Sequence, residues 1–213
     1  FEIGNLPDDP IVAGFVGTGH DVSDLHLARR SLEHMARHDA LTGLANRSVL
    51  LERLDQVVER GEPAAAVFID LDRFKPVNDL FGHDAGDELL RQVAERLTQI
   101  VRPEDLVARV GGAAFVVLIA GLDDRTSAHI LVERIDAALA EPYLLAEGPA
   151  RVTASVGLSL TAGDSTVTGL LADADRAMYE AKAARRGEPV SHDPVRQRTA
   201  NERRRMADEL AVG

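Results

Sequence analysis

The spacing of apolar positions changes several times along this chain, and each change predicts an element. Ile11 to Val16 reads as a short strand before Gly17-Thr18-Gly19. Leu25, Ala28, Leu32 and Met35 then follow a 3-4-3 spacing, the stripe of one amphipathic helix or of a short stalk pairing two chains. Leu50, Leu54, Val57 and Val58 predict a second helical face, stopped by Gly61-Glu62-Pro63. Ala64 to Ile69 is a nearly unbroken apolar run that ends in Asp70 and Asp72, as expected of a buried strand delivering carboxylates to a sheet edge. A loop is expected through Gly86, then a helix marked by Leu89, Val93, Leu97 and Ile100. Val107 to Val110, Gly111-Gly112 and Ala113 to Ile119 predict a hairpin with the glycine pair in its turn.

The C-terminal half continues the alternation. A helix is expected from Ser127 to Leu139, with Ile130, Ile135 and Leu139 along it. Val152 to Leu160 reads as a strand. Leu170 to Arg186 reads as a helix ending in a basic turn at Lys182, Arg185 and Arg186. Strands and helices interleave around one core, which defines an α/β (α+β) fold with a central mixed sheet flanked by helices and an N-terminal helical stalk. The polar, Arg-rich stretch from Ser191 to Gly213 reads as a linker helix towards a further domain, and a start at Phe1 reads as a piece of a longer protein.

Composition narrows the function classes. With 213 residues, 45% of them apolar, the chain can bury the core of one main domain. A net charge of -11 argues against general nucleic-acid binding, which needs positive potential to release counterions. It leaves room for a small phosphorylated ligand in a local basic pocket. No cysteine is present, which excludes disulfides, a thiol nucleophile and thiolate metal sites. No apolar run approaches the roughly 18 residues of a membrane span, and no secretory pattern opens the chain, so a cytoplasmic location is expected.

Candidate chemistry gathers in two stretches. Asp70 and Asp72, at the end of a buried strand, suit a hard cation such as Mg²⁺, which takes carboxylates together with phosphate oxygens. The loop that follows offers backbone N–H groups and Lys75 to a phosphate chain. The plain alternative is a pair of solvated turn acids. In Gly82-His83-Asp84-Ala85-Gly86-Asp87-Glu88, the default for Asp87 and Glu88 is to complement the dipole at a helix start. Asn78 with Asp87 could instead read the Watson–Crick edge of guanine.

Five ordered segments carry a family resemblance. They are His38 to Arg47 (HDALTGLANR), Asp70 to Asp79, Gly82 to Asp87, Arg109-Val110-Gly111-Gly112, and Ala177 to Lys182 (AMYEAK). Together they resemble the GGDEF family of diguanylate cyclases over about Leu32 to Pro189. The resemblance implies a nucleotidyl-cyclase-like fold in which two domains, each holding one GTP, meet face to face and form cyclic di-GMP. It also implies roles by position. Asp70 would bind Mg²⁺ through its carboxylate and Leu71 through its carbonyl. Arg73 and Phe74 would hold phosphate through backbone N–H groups, Asn78 and Asp87 would contact guanine, and Lys75, Lys182 and Arg186 would neutralise phosphates. Arg185 stands where the family often has Gly. Arg102-Pro103-Glu104-Asp105 resembles the family's RxxD product-inhibition motif, with Arg134 as the secondary arginine of a cyclic di-GMP site; a surface ion pair is the plain alternative.

One departure matters most. The hairpin of the family reads Gly-Gly, two acids, Phe, whereas this chain reads Gly111-Gly112-Ala113-Ala114-Phe115. A methyl group neither ligates Mg²⁺ nor accepts a proton, and this chemistry depends on metal clamping and positioning. The chain as written is therefore expected to bind GTP or cyclic di-GMP without turnover, with Mg²⁺ held weakly. Two further readings stay open: a cyclase silenced by alanine at these two positions, and a ligand-free dimerisation module. The flanks give the expected layout. Residues 1–21 resemble the end of a PAS sensor domain, with Asp21-Val22-Ser23 as its exit motif. Residues 22–37 form the stalk, 38–189 the GGDEF domain, and 190–213 a linker helix towards a phosphodiesterase (EAL) domain, with a homodimer possible.

Overall fold

The computed structural model describes residues 2–6, 14–18, 35–122, 124–146, 148–183 and 190–192. They belong to two compact units, Phe1–Ala36 and Arg37–Gly213. In the first, β1 (Glu2–Leu6) and β2 (Gly14–Thr18) form an antiparallel pair, with Glu2 opposite Thr18 and Leu6 opposite Gly14. Of the apolar run expected as a strand, residues 14–16 lie in β2, and residues 11–13 lie outside the described residues. Of the expected helical stripe, Leu25, Ala28 and Leu32 lie outside the described residues. Residues 35–37 are helical, and Met35 is exposed.

The second unit runs through α1 (Arg47–Glu59), β3 (Ala64–Leu71), α2 (Phe74–Phe81), α3 (His83–Ile100), β4 (Leu106–Gly111), β5 (Ala114–Ala120), α4 (Arg125–Ala140), β6 (Tyr143–Leu145), β7 (Gly148–Ala150), β8 (Ala154–Leu160), α5 (Val167–Ala183) and β9 (Val190–His192). The main sheet has the order β4-β5-β3-β8-β9. β3 is its centre, antiparallel to β5 and to β8, while β9 runs parallel to β8. The mixed sheet between helices agrees with the expected fold class.

Period-two alternation along β3 divides the core. Ala65, Val67, Ile69 and Leu71 join Leu89, Val93 and Leu97 of α3 and Ala128, Val132, Ile135 and Leu139 of α4. Ala64 and Ala66 join Leu50, Leu54 and Val57 of α1 and Leu170 and Ala174 of α5. Asn46 caps α1, its side chain accepting from the N–H groups of Ser48 and Val49, and Asp124 caps α4 through Ser127.

Four expectations need correction. The stretch expected as a loop through Gly86 is helical on both sides of Gly82. Phe74, Val77 and Phe81 supply a 3-4 spacing, and Pro76 falls in the first turn, where its missing N–H costs little. Gly82, at φ 89°, makes the break between α2 and α3. α3 therefore begins at His83, and Asp87 and Glu88 lie in its second turn rather than at its start. Ile130 is 52% exposed; Ala128 and Val132 on the same helix face the core instead. Residues 190–192, read as the start of a linker helix, pair with Gly157–Ser159 as an added strand.

Candidate functional site

Most of the candidate residues converge at one end of the sheet. Asp70 is the penultimate residue of β3. Its neighbours across the strands are Ala114 of β5 and Ser155 of β8. The Asp70 carboxylate pairs with the Lys182 ammonium from the last turn of α5. That reach depends on how closely α5 lies on β8. A Cβ on Gly157 would sit 2.1 Å from the Ala174 carbonyl oxygen and 2.2 Å from the Met178 nitrogen, so only glycine permits the approach. Ala174, Ala177 and Ala181 keep the facing side of α5 small.

The chain then turns sharply. Leu71, buried at the end of β3, donates its N–H to the Ala113 carbonyl at 3.2 Å. Arg73 has φ 56°, the left-handed region that a side chain with a Cβ rarely occupies. Phe74 begins α2, whose N-terminus has no side-chain cap. Its first N–H groups are unsatisfied by side chains and point from a helix start, which suits an anion. Lys75 is exposed in the first turn.

The Asn78 side chain of α2 lies against Gly86 of α3, next in sequence to Asp87. A Cβ on Gly86 would fall 1.8 Å from Asn78 Oδ1 and 3.2 Å from the Phe74 ring. Asn78 Oδ1 is buried without a hydrogen-bond partner. A buried acceptor left unpaired is where a ligand donor is needed, and guanine offers ring and exocyclic N–H groups. Glu88, by contrast, supports the scaffold: its carboxylate accepts from the Ala146 N–H at 3.1 Å and from Gln92 at 3.3 Å.

The hairpin has the expected turn, with φ 140° at Gly111 and 53° at Gly112. Its base is clamped. Arg109 donates through Nη1 to both carboxylate oxygens of Asp39, at 2.9 and 3.1 Å, and through Nε and Nη2 to the Gly112 carbonyl, at 3.1 and 2.7 Å. Asp39 also accepts from the Thr42 N–H and hydroxyl. Burial alone would raise the Asp39 pKa, but these hydrogen bonds and the Arg109 charge outweigh it and hold it below the ordinary carboxylate value.

The donor set for a metal ion is thin. Ala113 and Ala114 are half-buried methyl groups where the hairpin meets the end of β3. Among the described residues no group of three His, Cys, Asp or Glu side chains converges on a metal position. Asp70, already paired with Lys182, and the Leu71 carbonyl are the protein donors left. They fit a single hard cation only with phosphate oxygens and water completing its shell.

The turn Arg102 to Asp105 lies before β4. The Arg102 N–H donates to Asp105 Oδ2 at 3.0 Å, and the Asp105 N–H to the Arg102 carbonyl at 3.1 Å. The pair is thus joined through the backbone of Arg102, and the guanidinium is not part of that link. Asp105 Oδ1 is buried and unpartnered. Arg134, exposed on α4, donates to the Ile100 carbonyl at 3.3 Å, which places it beside this turn. The structure therefore brings Asp70, Leu71, Arg73, Phe74, Lys75, Ala113, Ala114 and Lys182 to one sheet end, Asn78 and Asp87 to the adjoining helices, and Arg102, Asp105 and Arg134 to a second place. Arg186 lies outside the described residues. The reading of residue patterns left Asp39, Arg109 and Gly86 without roles and did not single out Thr153, Ser155 or Gly157. Their parts depend on contacts between segments far apart in sequence.

Comparison with known proteins identifies the family. Residues 36–188 match the family described as Diguanylate cyclase, GGDEF domain. The chain is 41% identical over 165 residues to the bifunctional diguanylate cyclase/cyclic di-GMP phosphodiesterase MucR of Pseudomonas aeruginosa, covering 75% of this chain and 24% of that protein. It is 43% identical over 175 residues to the response regulator PleD of Caulobacter vibrioides, covering 76% of this chain and 38% of that protein. The crystal structure of the GGDEF domain of PA1120 (YfiN or TpbB) from Pseudomonas aeruginosa is similar with a TM-score of 0.68 and 38% identity, over 71% of this chain and 98% of that one. The coiled coil and GGDEF domain of DgcB from Caulobacter crescentus, solved in complex with c-di-GMP, is similar with a TM-score of 0.73 and 26% identity, over 80% of this chain and 93% of that one. The chain belongs to the GGDEF family and carries a GGDEF domain of cyclic di-GMP signalling. It spans about a quarter of the length of several of the curated relatives it matches. No helix among the described residues is long and apolar enough to cross a membrane.

Proposed function

We propose that this domain binds GTP, cyclic di-GMP or both, and regulates a linked output domain without condensing GTP itself. The observation that carries the reading is the pair of methyl side chains, Ala113 and Ala114, beside Asp70. GTP would lie with guanine at Asn78 and Asp87 and its phosphates over Arg73 and Phe74, with Lys75, Lys182 and Arg186 supplying positive charge. Mg²⁺ would be held weakly by Asp70 and the Leu71 carbonyl; when bound it would neutralise phosphate charge. Losing one key electrostatic stabiliser commonly costs on the order of 100- to 1000-fold in rate, so losing two should nearly abolish turnover. Cyclic di-GMP would bind at Arg102, Asp105 and Arg134. The bifunctional relative supports a phosphodiesterase (EAL) neighbour as the output. In this reading a PAS-like sensor would lie upstream and the stalk would pair two chains.

Isothermal titration with GTP and with cyclic di-GMP, together with mass spectrometry of a GTP incubation, tests this. Binding without product supports the proposal, and protein-dependent cyclic di-GMP overturns it. No binding of either nucleotide points to the dimerisation module. A silenced cyclase is the second reading, favoured by the intact turn geometry at Gly111 and Gly112 and the retained Asp70. Ala113→Asp with Ala114→Glu separates the two: synthesis recovered by the double variant selects the silenced cyclase.

A further inference from the structure

Asp72, read from the sequence as a companion of Asp70 at a hard cation, has both carboxylate oxygens engaged by hydroxyls of the protein. It follows β3 directly and precedes Arg73, the one non-glycine residue among the described residues with positive φ. A left-handed backbone costs about 1–2 kcal/mol for a residue with a Cβ, so its surroundings must hold it. Asp72 makes three contacts that do so. Its N–H donates to the Thr153 carbonyl at 2.8 Å, extending the β3–β8 pairing one step past Leu71 and Ala154. One carboxylate oxygen accepts from Thr153 Oγ1 at 2.8 Å and the other from Ser155 Oγ at 2.7 Å. An ionised carboxylate only accepts, so both hydroxyl protons must point at it and each rotor is fixed. Such charge-assisted bonds are the strong ones, and Ser155 is 2% exposed.

We propose that Asp72 is a positioning residue of the nucleotide site. It ties the turn 71–74 to the start of β8 and so presents the backbone N–H groups of Arg73 and Phe74 before a phosphate arrives. This rests on the reading of that turn as a phosphate cradle. Asp72 touches no ligand in this role; Thr153 and Ser155 complete the device from the other strand. A residue that merely supported the sheet end would weaken all ligands alike, whereas a cradle-positioning residue acts on the phosphate part alone.

The test compares GTP with guanosine, which lacks the phosphates, in the unsubstituted chain, Asp72→Ala, Asp72→Asn and the pair Thr153→Val with Ser155→Ala. Calorimetry follows GTP and NMR titration follows guanosine. Asp72→Ala should weaken GTP binding about tenfold, the equivalent of one lost charge-assisted contact, and leave guanosine within about twofold. The hydroxyl-deleted pair should reproduce that loss, because it removes the same contacts from the other side. Asp72→Asn, which keeps the shape and one acceptor oxygen, should fall between. In the nucleotide-free Asp72→Ala chain, hydrogen exchange at the Arg73 and Phe74 amides should speed up while the β3–β5 amides stay protected. Equal losses for GTP and guanosine, unchanged GTP affinity in the hydroxyl-deleted pair, or unchanged exchange at Arg73 and Phe74 would each overturn the assignment. If the unsubstituted chain binds no GTP, the GTP reading fails, and amide exchange still decides whether Asp72 holds the turn.

Discussion

Arg109 and Asp39, seventy residues apart, meet in a two-oxygen ion pair, and the other side of the same guanidinium holds the Gly112 carbonyl. The planar fork of Arg allows both at once. The loop before α1 and the glycine turn of the hairpin are therefore set by one side chain. Arg109 also donates its backbone N–H to the Ala45 carbonyl at 2.9 Å, so the loop is held from two directions.

Breaking this clamp should loosen the hairpin more than it destabilises the fold. Arg109→Ala is expected to cost about 1–2 kcal/mol, less than a buried pair because Asp39 is partly exposed. Asp39 has a depressed pKa in the folded chain, so its contribution is present above the ordinary carboxylate value and is lost as pH falls through the lower, folded one. Urea unfolding of the unsubstituted chain and of Asp39→Asn, repeated at neutral and acid pH, checks the sign: the stability difference between them should shrink on acidification.

Gly157 makes a second, sharper prediction. Gly157→Ala would place a methyl carbon 2.1 Å from the Ala174 carbonyl oxygen, against helix backbone that cannot swing aside. α5 must shift outward, at a cost of about 1–3 kcal/mol for overpacking. Lys182 rides on that helix, so it should leave Asp70. Thermal unfolding reads the first effect. The second is read by the Lys182 side-chain amine signal in NMR, which should lose its dependence on an Asp70→Asn substitution.

The contrast between Ile130 and Gly157 shows what the residue pattern carried. The β3 run, the α1 and α3 stripes and the glycine hairpin were legible, because each is decided by periodicity or by a backbone preference within a few residues. Ile130 was misplaced because a helical stripe has more than one reading when Ala128 and Val132 are equally apolar. α2 was missed since its polar, motif-like residues suggest a loop, although Phe74, Val77 and Phe81 carry a helical spacing. At the site, Asp70, Asn78 and Lys182 could be named one by one, and the missing acids at Ala113 and Ala114 stood in plain view. The Asp39–Arg109 clamp and the hydroxyls of Thr153 and Ser155 could not be, because nothing local to either partner marks the other.

Arg96 and Tyr143 give an alkaline prediction. The Arg96 guanidinium donates to the carbonyls of Ala138, Glu141 and Pro142, closing the C-terminal end of α4, and lies 3.8 Å over the Tyr143 ring. Arg96→Ala should cost about 2 kcal/mol, through carbonyls left without their charged donor. Tyr143 is fully buried and its hydroxyl donates to the Leu139 carbonyl. Burial pushes its pKa up to about 12, against the opposing pull of Arg96. The folded pKa is raised, so the stabilisation is complete below the ordinary phenol value near 10 and is lost as pH rises through about 12. Tyr143→Phe should flatten that part of the alkaline unfolding curve; a curve of unchanged shape would refute the assignment.

Asp136 carries the opposite sign from Asp39. It sits half-buried on α4, and burial, followed by the negative charge of Asp72, raises its pKa. Its neutral form is the one the fold favours. At neutral pH the folded chain must hold it ionised at a cost the unfolded chain escapes, and that cost disappears once pH is low enough to protonate it in both states. Asp136→Asn keeps the shape and removes the charge. It should stabilise the chain at pH 7, and the gain should fade as pH drops through the raised folded value and then the ordinary one. Denaturant unfolding of both chains across this range is the measurement. A gain that is the same at pH 7 and well below the ordinary carboxylate value would show that charge is not its source, and no gain at neutral pH would show that Asp136 is not held at a cost.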